Sequence, residues 1–299
     1  MKSDPMKKYV SVIIPVYKDW ERLSLCLHAL ADQSYAKDLY EVLVVNNDPA
    51  GMMPADFFAP DNVRLLHERK LGSYAARNTA IKAAKGEIIG FTDSDCIPDQ
   101  HWIRNAVDVF SNNNACTRIG GAINIFFQTD NPTKAELYDK IYAFNQKSYV
   151  TNSGTCVTAN SFTYKYVFEE VGLFNDQLLS GGDFTWGVVA YQKGFEIEYA
   201  ENVIVNHPAR LSLSELIKKE KRVATGQAGF TQKNNSLIEF INLLNEVRPR
   251  LKEFRIVFSQ QFLSPYNKVV ILLIRHYLLG LRAIEKFKAQ MFSPNQVVS

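Results

Sequence analysis

Residues 86–102 read GEIIGFTDSDCIPDQHW. The stretch runs apolar from Ile88 to Phe91, then delivers two carboxylates, Asp93 and Asp95, with one residue between them, before Pro98 breaks the chain. A short apolar run bounded by Gly86 and Pro98 predicts a strand buried in a sheet, with the two acids at its carboxyl end. The Asp-Ser-Asp either makes an Asx turn or caps the next helix, a common fate of acids before proline, or it holds a divalent cation. Mg²⁺ and Mn²⁺ favour hard oxygen ligands and take one or two carboxylates together with substrate phosphates.

The residues upstream place that strand in a sheet. YVSVIIPVY (9–17) is a β-branched run ending at Pro15, and DWERLSLCLHALADQ (19–33) follows with Leu23, Leu27 and Leu30 at helical spacing and Asp19 as its N-cap. YEVLVVNND (40–48) is continuously apolar, as in a strand buried on both faces. NVRLLHER (62–69) predicts a third strand and SYAARNTAIKAAKG (73–86) a helix closed by Gly86, so that 87–95 becomes the fourth strand. Strands alternating with helices predict a parallel sheet. Ligands of such sheets sit beyond the carboxyl ends of the strands, which here carry Pro15 and Tyr17, then Asn46, Asn47 and Asp48, then Asp93 and Asp95.

Downstream, ACTRIGGAINIFF (115–127) reads as a strand with a close backbone approach at Gly120-Gly121, and TKAELYDKIYAFNQKSYV (133–150) as one amphipathic helix. SGGDFTWG (180–187) places Asp183 between a glycine pair and an apolar-periodic stretch, where it is a candidate N-cap. Trp186 lies one turn on, either a core aromatic or a stacking platform. AENVIVNHPAR (200–210) is a further β-like run followed by His207.

Composition limits what the chain can be. Its 299 residues, 46% hydrophobic, suit one large domain with an appendage, and we divide it at 1–210 and 211–299. With 34 basic against 31 acidic residues the net charge is +3, which supplies no global field for a nucleic-acid partner. Cys26, Cys96, Cys116 and Cys156 show no CxxC spacing and suit reduced thiols in a cytoplasmic protein. The first apolar run is broken at Pro15, too short for a signal peptide or a spanning helix. Beyond His207, SLSELIKKEKRVATGQAGF (212–230) is a basic helix. NKVVILLIRHYLLGLRAIEKFKAQ (267–290) sets apolar bulk among Lys268, Arg275, Arg282, Lys286 and Lys288. Its uninterrupted run, Val269 to Ile274, does not span a bilayer; the helix either packs on the domain or lies at the inner face of an anionic membrane.

Four stretches, VSVIIPVYKDWERL (10–23), VLVVNND (42–48), LGSYAARNTAIKAAKGEIIGFTDSDCIPDQHW (71–102) and GGDFTWGVVAYQKGF (181–195), stand in the order found in family 2 nucleotide-sugar glycosyltransferases of the GT-A fold. From Val10 to His207 the chain resembles that family. The resemblance implies an α/β fold, a Rossmann-like, mostly parallel sheet flanked by helices, with a C-terminal helical appendage. It implies an inverting transfer of sugar from a nucleotide-sugar, UDP-linked, to a hydroxyl of a saccharide or lipid-linked saccharide in building surface polysaccharide or glycolipid. Pro15, Val16, Tyr17 and Glu21 then fall at the uridine. Asn47 and Asp48 stand where the family usually has two acids at the base, a pattern from which Asn47 departs. Arg77 and Asn78 match residues facing ribose and phosphate. Asp93 lies near the ribose and metal, Ser94 completes the motif, Asp95 is the direct ligand of Mn²⁺ or Mg²⁺, and His207 is a further ligand. Asp183 matches the general base, with Gly182 where a second acid usually stands. Asn160 is either a donor contact or a turn residue.

Two alternatives belong to other classes. A nucleotidyltransferase also presents metal-binding acids from an α/β sheet, but needs a glycine-rich phosphate loop after the first strand, and PVYKDWERL (15–23) contains no glycine. A non-catalytic sugar-nucleotide-binding protein would bind the nucleotide and turn nothing over.

Overall fold

The computed structural model describes residues 7–228, 243, 245, 246, 248 and 250–292. The chain divides into two compact units, Met1–Asn124 with Asn145–Pro208, and Ile125–Phe144 with Ala209–Ser299. The second unit therefore takes in 125–144 as well as the region beyond the boundary drawn from sequence at 210/211.

In the first unit β1 (Val10–Val16), β2 (Tyr40–Asn46), β3 (Val63–His67) and β4 (Ile88–Thr92) form the parallel half of an eight-stranded sheet, in the order β3-β2-β1-β4. Register aligns Val12 with Val42 on one side and with Gly90 on the other. Every residue of β2 and β4 is buried, which is why these strands read as unbroken apolar runs rather than alternating ones. Helices α1 (Trp20–Ala31) and α2 (Ser73–Ala83) connect them. Ile13, Leu43, Ile89 and Phe91 pack with Ala76, Ala80 and Ile81 of α2 into one core.

From β4 onward the sheet turns antiparallel. It continues with β7 (Asn160–Tyr164), β6 (Cys116–Phe126), β8 (Glu196–Pro208) and β5 (Ile97–Pro98). β7 runs against β4, pairing Asn160 with Thr92, and β5 runs against β8, pairing Ile97 with Asn206. These two pairings bring Asn160 and His207 to the carboxyl end of β4. The flanking helices are α3 (Trp102–Asn112), α5 (Gln146–Ser153), α6 (Lys165–Val171) and α7 (Gly182–Gln192).

Three local expectations are corrected. Helix α2 stops at Ala83, and Gly86 is not its cap: a Cβ there would fall 2.4 Å from the Ser11 nitrogen, so glycine permits the chain to approach β1. The expected helix over 133–150 is two helices, α4 (Lys134–Tyr142) and α5, in different units. Asn160 is neither a turn residue nor a donor contact. Its Nδ2 donates to the Ala122 and Val203 carbonyls at 2.7 and 2.9 Å, and its Oδ1 accepts from Trp102 Nε1 at 2.9 Å, so it fastens β7 to β6 and β8. The close approach expected at Gly120-Gly121 is present: a Cβ on Gly121 would lie 2.5 Å from Asn160 Nδ2.

The second unit packs α4, α8 (Leu213–Ala228), α9 (Leu251–Phe258) and α10 (Pro265–Phe292) around Leu137, Tyr138, Leu216, Val257, Ile271 and Leu278. A Thr133–Glu136 capping box starts α4. The basic residues of α10 are engaged within the unit: Arg275 with Glu253 at 3.2 Å, Arg282 with Glu220 at 2.5 Å, Lys286 with Glu246 at 2.7 Å, and Lys268 with the Phe258 carbonyl at 2.9 Å. Among the described residues no helix is long and apolar enough to cross a membrane.

Candidate active site

The carboxyl edge of β4 gathers the charged groups of the first unit. Asp93, immediately beyond the strand, accepts from Arg77 Nη2 at 2.5 Å. Arg77 is buried on α2, so its charge is held in place rather than left to solvent. Two residues on, Asp95 Oδ2 lies 3.7 Å from His207 Nε2 and 3.6 Å from Arg22 Nη1. His207 is buried, and its Nδ1 is 2.7 Å from the Pro208 carbonyl. A carbonyl only accepts, so Nδ1 carries a proton, and Nε2 is the ring nitrogen directed at Asp95.

Asp95 and His207 thus present an oxygen and an imidazole nitrogen to one another, a donor set that suits a transition ion such as Mn²⁺ better than Mg²⁺, which favours oxygen alone. Cys96 completes the cluster by position, with ligand atoms within 4.8 Å. Burial, and then the charges of Asp95 and Asp93, push its thiol well up, and a soft sulfur suits Mn²⁺ or Mg²⁺ less well than oxygen does.

Asp19 sits at the N-cap position of α1 but makes no capping bond. Its carboxylate receives Arg22 Nε at 2.9 Å and Ser94 Oγ at 3.3 Å instead. Asp19 and Arg22 therefore belong to the acidic loop, and their i, i+3 spacing on one helix face is the signal that sequence reasoning passed over.

At the carboxyl end of β1 and the start of α1, Val16 is buried while Tyr17 and Glu21 are exposed, and Pro15 is half-buried. The Lys18 amine lies 3.9 Å from Asp48 Oδ2 and 5.3 Å from the centre of the Tyr17 ring. Asp48 is buried and accepts from the Ala50 amide at 3.2 Å. Asn47 donates to the carbonyls of Glu68 and Lys70 at 3.0 and 2.7 Å and accepts from the Gly72 amide at 2.8 Å. Its departure from an acid has this physical cause: only an amide offers both donors and an acceptor to that loop. Asn78 is engaged in the same manner, donating to the Phe174 carbonyl at 2.8 Å and accepting from the Phe174 amide at 3.1 Å. The structure does not bring Asn78 to Asp93 as it does Arg77.

Asp183 lies inside the first turn of α7, whose N-cap is Gly181 in the left-handed region at φ 79°. Freed from capping, its carboxylate accepts from Tyr74 Oη at 2.9 Å, from the Phe184 amide at 2.9 Å, and from Thr158 N and Oγ1 at 3.2 and 3.5 Å. Trp186 is a core aromatic: its ring stacks on Phe168 with centroids 4.4 Å apart and its Nε1 donates to the Gly172 carbonyl at 2.7 Å. Tyr74 and Thr158 were not singled out from sequence. Tyr74 stands one turn before Arg77 on α2, and that spacing could have found it.

Comparison with known proteins adds four findings. The model of glycosyl transferase family 2 matches residues 11–172. Glycosyltransferase AglE of Haloferax volcanii is 40% identical over 224 residues, 73% of this chain and 73% of its own. A transferase of Methanococcus voltae, named as dolichyl N-acetyl-α-D-glucosaminyl phosphate 3-β-D-2,3-diacetamido-2,3-dideoxy-β-D-glucuronosyltransferase, is 21% identical over 233 residues, 71% of this chain and 70% of its own. Among solved structures, the mannosyltransferase PcManGT of Pyrobaculum calidifontis, in complex with GDP-Man and Mn²⁺, shares the fold with a TM-score of 0.54 at 16% identity, over 97% of this chain and 78% of its own.

Proposed function

The chain belongs to glycosyl transferase family 2, and on that premise we propose that it is an inverting enzyme moving a sugar from a nucleoside-diphosphate sugar, UDP-linked, to a hydroxyl of a lipid-linked saccharide. The observation that carries the reading is the Asp95–His207 pair, a carboxylate oxygen and a ring nitrogen 3.7 Å apart at the end of β4, with Asp93 held beside them by Arg77. A divalent cation held by Asp95 and His207 would supply positive charge to the departing diphosphate.

Asp183 takes the proton of the acceptor hydroxyl. As the acceptor oxygen bonds to the anomeric carbon, the bond from that carbon to the diphosphate breaks and its electron pair leaves with the phosphate oxygen. Attack from the face opposite the nucleotide inverts the anomeric centre. Arg77 and Asp93 orient the donor, while Tyr17 and Asp48 lie at the rim where the base is expected.

A lipid-linked acceptor is supported by the dolichyl-linked acceptor in the name of the M. voltae relative. It is supported also by an apolar face on the second unit: Val269, Leu273 and Tyr277 of α10 are exposed at helical spacing, as are Leu251, Phe254 and Phe258 of α9, next to exposed Arg250, Lys252 and Arg255. Apolar and basic side chains together suit an anionic membrane surface. The thiols of Cys26, Cys96, Cys116 and Cys156 are unpaired, in keeping with a cytoplasmic site at the inner face of that membrane.

The test is release of nucleoside diphosphate from a panel of UDP- and GDP-sugars. Slow, Mn²⁺-dependent release from one UDP-sugar, abolished by chelator and accelerated by an acceptor, is expected. Binding without turnover for every sugar would leave only a sugar-nucleotide-binding protein.

A further inference from the structure

We infer that Tyr74 is the positioning residue of Asp183, and that position 182 is a glycine because the Tyr74 ring fills the space a side chain there would need. The inference rests on Asp183 being the base.

The steric half comes from α2 and the start of α7. A Cβ built on Gly182 would fall 2.8 Å from Tyr74 Cε2, 2.9 Å from Cδ2 and 3.0 Å from Cζ. No backbone requirement explains this glycine, because Gly182 is absent from the positive-φ residues, whereas its neighbour Gly181 is among them at 79°. The ring has little room to withdraw. Tyr74 is 5% exposed, its centroid is 5.6 Å from that of Phe174, and the Arg77 guanidinium lies over the ring at 5.8 Å.

The polar half follows from where that ring ends. Tyr74 Oη donates to Asp183 Oδ1 at 2.9 Å, while Thr158 holds Oδ2 through its amide at 3.2 Å. The carboxylate is gripped at both oxygens, from α2 and from the segment before β7, so its plane is fixed relative to the sheet. Burial, reinforced by the charge of Asp183, raises the Tyr74 phenol, which therefore remains a donor at working pH. Three residues on, Arg77 holds Asp93 at 2.5 Å. One face of α2 thus carries the side chains that set both the base and the donor-side acid. Where relatives are expected to place a second acid, this chain has Gly182, with an aromatic ring from another helix in the space beside it.

The experiment uses the full chain with its nucleotide-sugar, Mn²⁺ and acceptor. Tyr74→Phe keeps the ring and removes the donor; kcat should fall about tenfold to hundredfold, the worth of one hydrogen bond to a charged group, with the KM for the nucleotide-sugar unchanged. In an Asp183→Asn background the same substitution should add no further loss, because the two act as a unit. If Asp183→Asn loses transfer but Tyr74→Phe turns over at the native rate, Tyr74 positions nothing and the inference falls. If Asp183→Asn itself retains transfer, the base assignment has failed instead. Gly182→Ala tests the steric half by thermal melting: it should lower Tm by several degrees in the native chain and leave Tm nearly unchanged in a Tyr74→Ala background. Equal losses in the two backgrounds would overturn it.

Discussion

His207 Nε2 faces Asp95 Oδ2 across 3.7 Å, with Nδ1 of the same ring turned to the Pro208 carbonyl. Arg22 Nη1, 3.6 Å from the same Asp95 oxygen, adds the protein's own positive charge beside the pair. Asp95→Asn should keep the fold and weaken Mn²⁺ binding at least tenfold by calorimetry, because an amide oxygen carries no charge. His207→Ala should give a smaller loss, and Asp93→Asn a smaller loss again, since Asp93 is directed at Arg77. Unchanged Mn²⁺ affinity in Asp95→Asn would remove the metal from the mechanism.

Asn47 offers a test of why the donor rim departs from the expected acid pair. Asn47→Asp would set a carboxylate oxygen against the Glu68 and Lys70 carbonyls, which Nδ2 now reaches at 3.0 and 2.7 Å. The cost is about 2–4 kcal/mol, from two lost bonds and the repulsion of like partial charges in a buried place. Tm should fall by about 5–10 °C, and donor affinity should fall with it as the loop over 68–72 loosens. A variant as stable as the native chain would show that the amide is not needed there.

What could be read from sequence follows from burial and distance along the chain. β1, β2 and β4 were legible because strands covered on both faces leave unbroken apolar runs, and the acids after β4 stand out against them. The antiparallel half was not legible: β7 joins β4 through pairs such as Phe91 with Ser161, and no local signal states which strand a run will meet. The break between α4 and α5 was hidden for a related reason, since the two halves bury their residues in different units, Leu137 and Tyr138 in the second and Val150 in the first. The partners of buried amides were not legible either. Asn47, Asn78 and Asn160 look in sequence like polar groups awaiting a ligand, and each bonds backbone groups distant in the chain.

Lys219 gives the second unit a pH dependence. It lies on α8, 3.7 Å from Asp139 and 3.1 Å from the Ala143 carbonyl, and burial followed by the charge of Arg210 pushes its amine down to about 8. The folded state therefore releases this proton earlier than the unfolded chain, whose lysine titrates near 10.5. Below pH 8 both states are protonated and the cost of burying the ammonium is present in full. Between about pH 8 and 10.5 the unfolded state binds more proton, so this group's contribution to stability rises with pH. Lys219→Met should remove that rise: the native chain should gain Tm relative to the variant between pH 7 and 9.5. Parallel curves would show that Lys219 does not titrate in this window.

The basic character of α10 suggested a membrane helix held by charge, yet its cations are engaged within the unit, Arg275 with Glu253, Arg282 with Glu220 and Lys286 with Glu246. Membrane contact should then depend on the exposed apolar residues of α9 and α10, with Arg250, Lys252 and Arg255 adding a preference for anionic lipid. In co-sedimentation with vesicles of phosphatidylcholine and phosphatidylglycerol, Leu273→Glu and Tyr277→Glu should each weaken binding about tenfold without lowering Tm, since both side chains are exposed. Replacing Arg250, Lys252 and Arg255 with alanine should leave binding to neutral vesicles intact and remove the salt-sensitive excess on anionic ones. Lys286→Ala should do the reverse, lowering Tm while leaving vesicle binding unchanged, because its partner is Glu246 rather than lipid. If the native chain does not sediment with either vesicle, or if Leu273→Glu binds as well as the native chain, the apolar face of α10 is not a membrane surface.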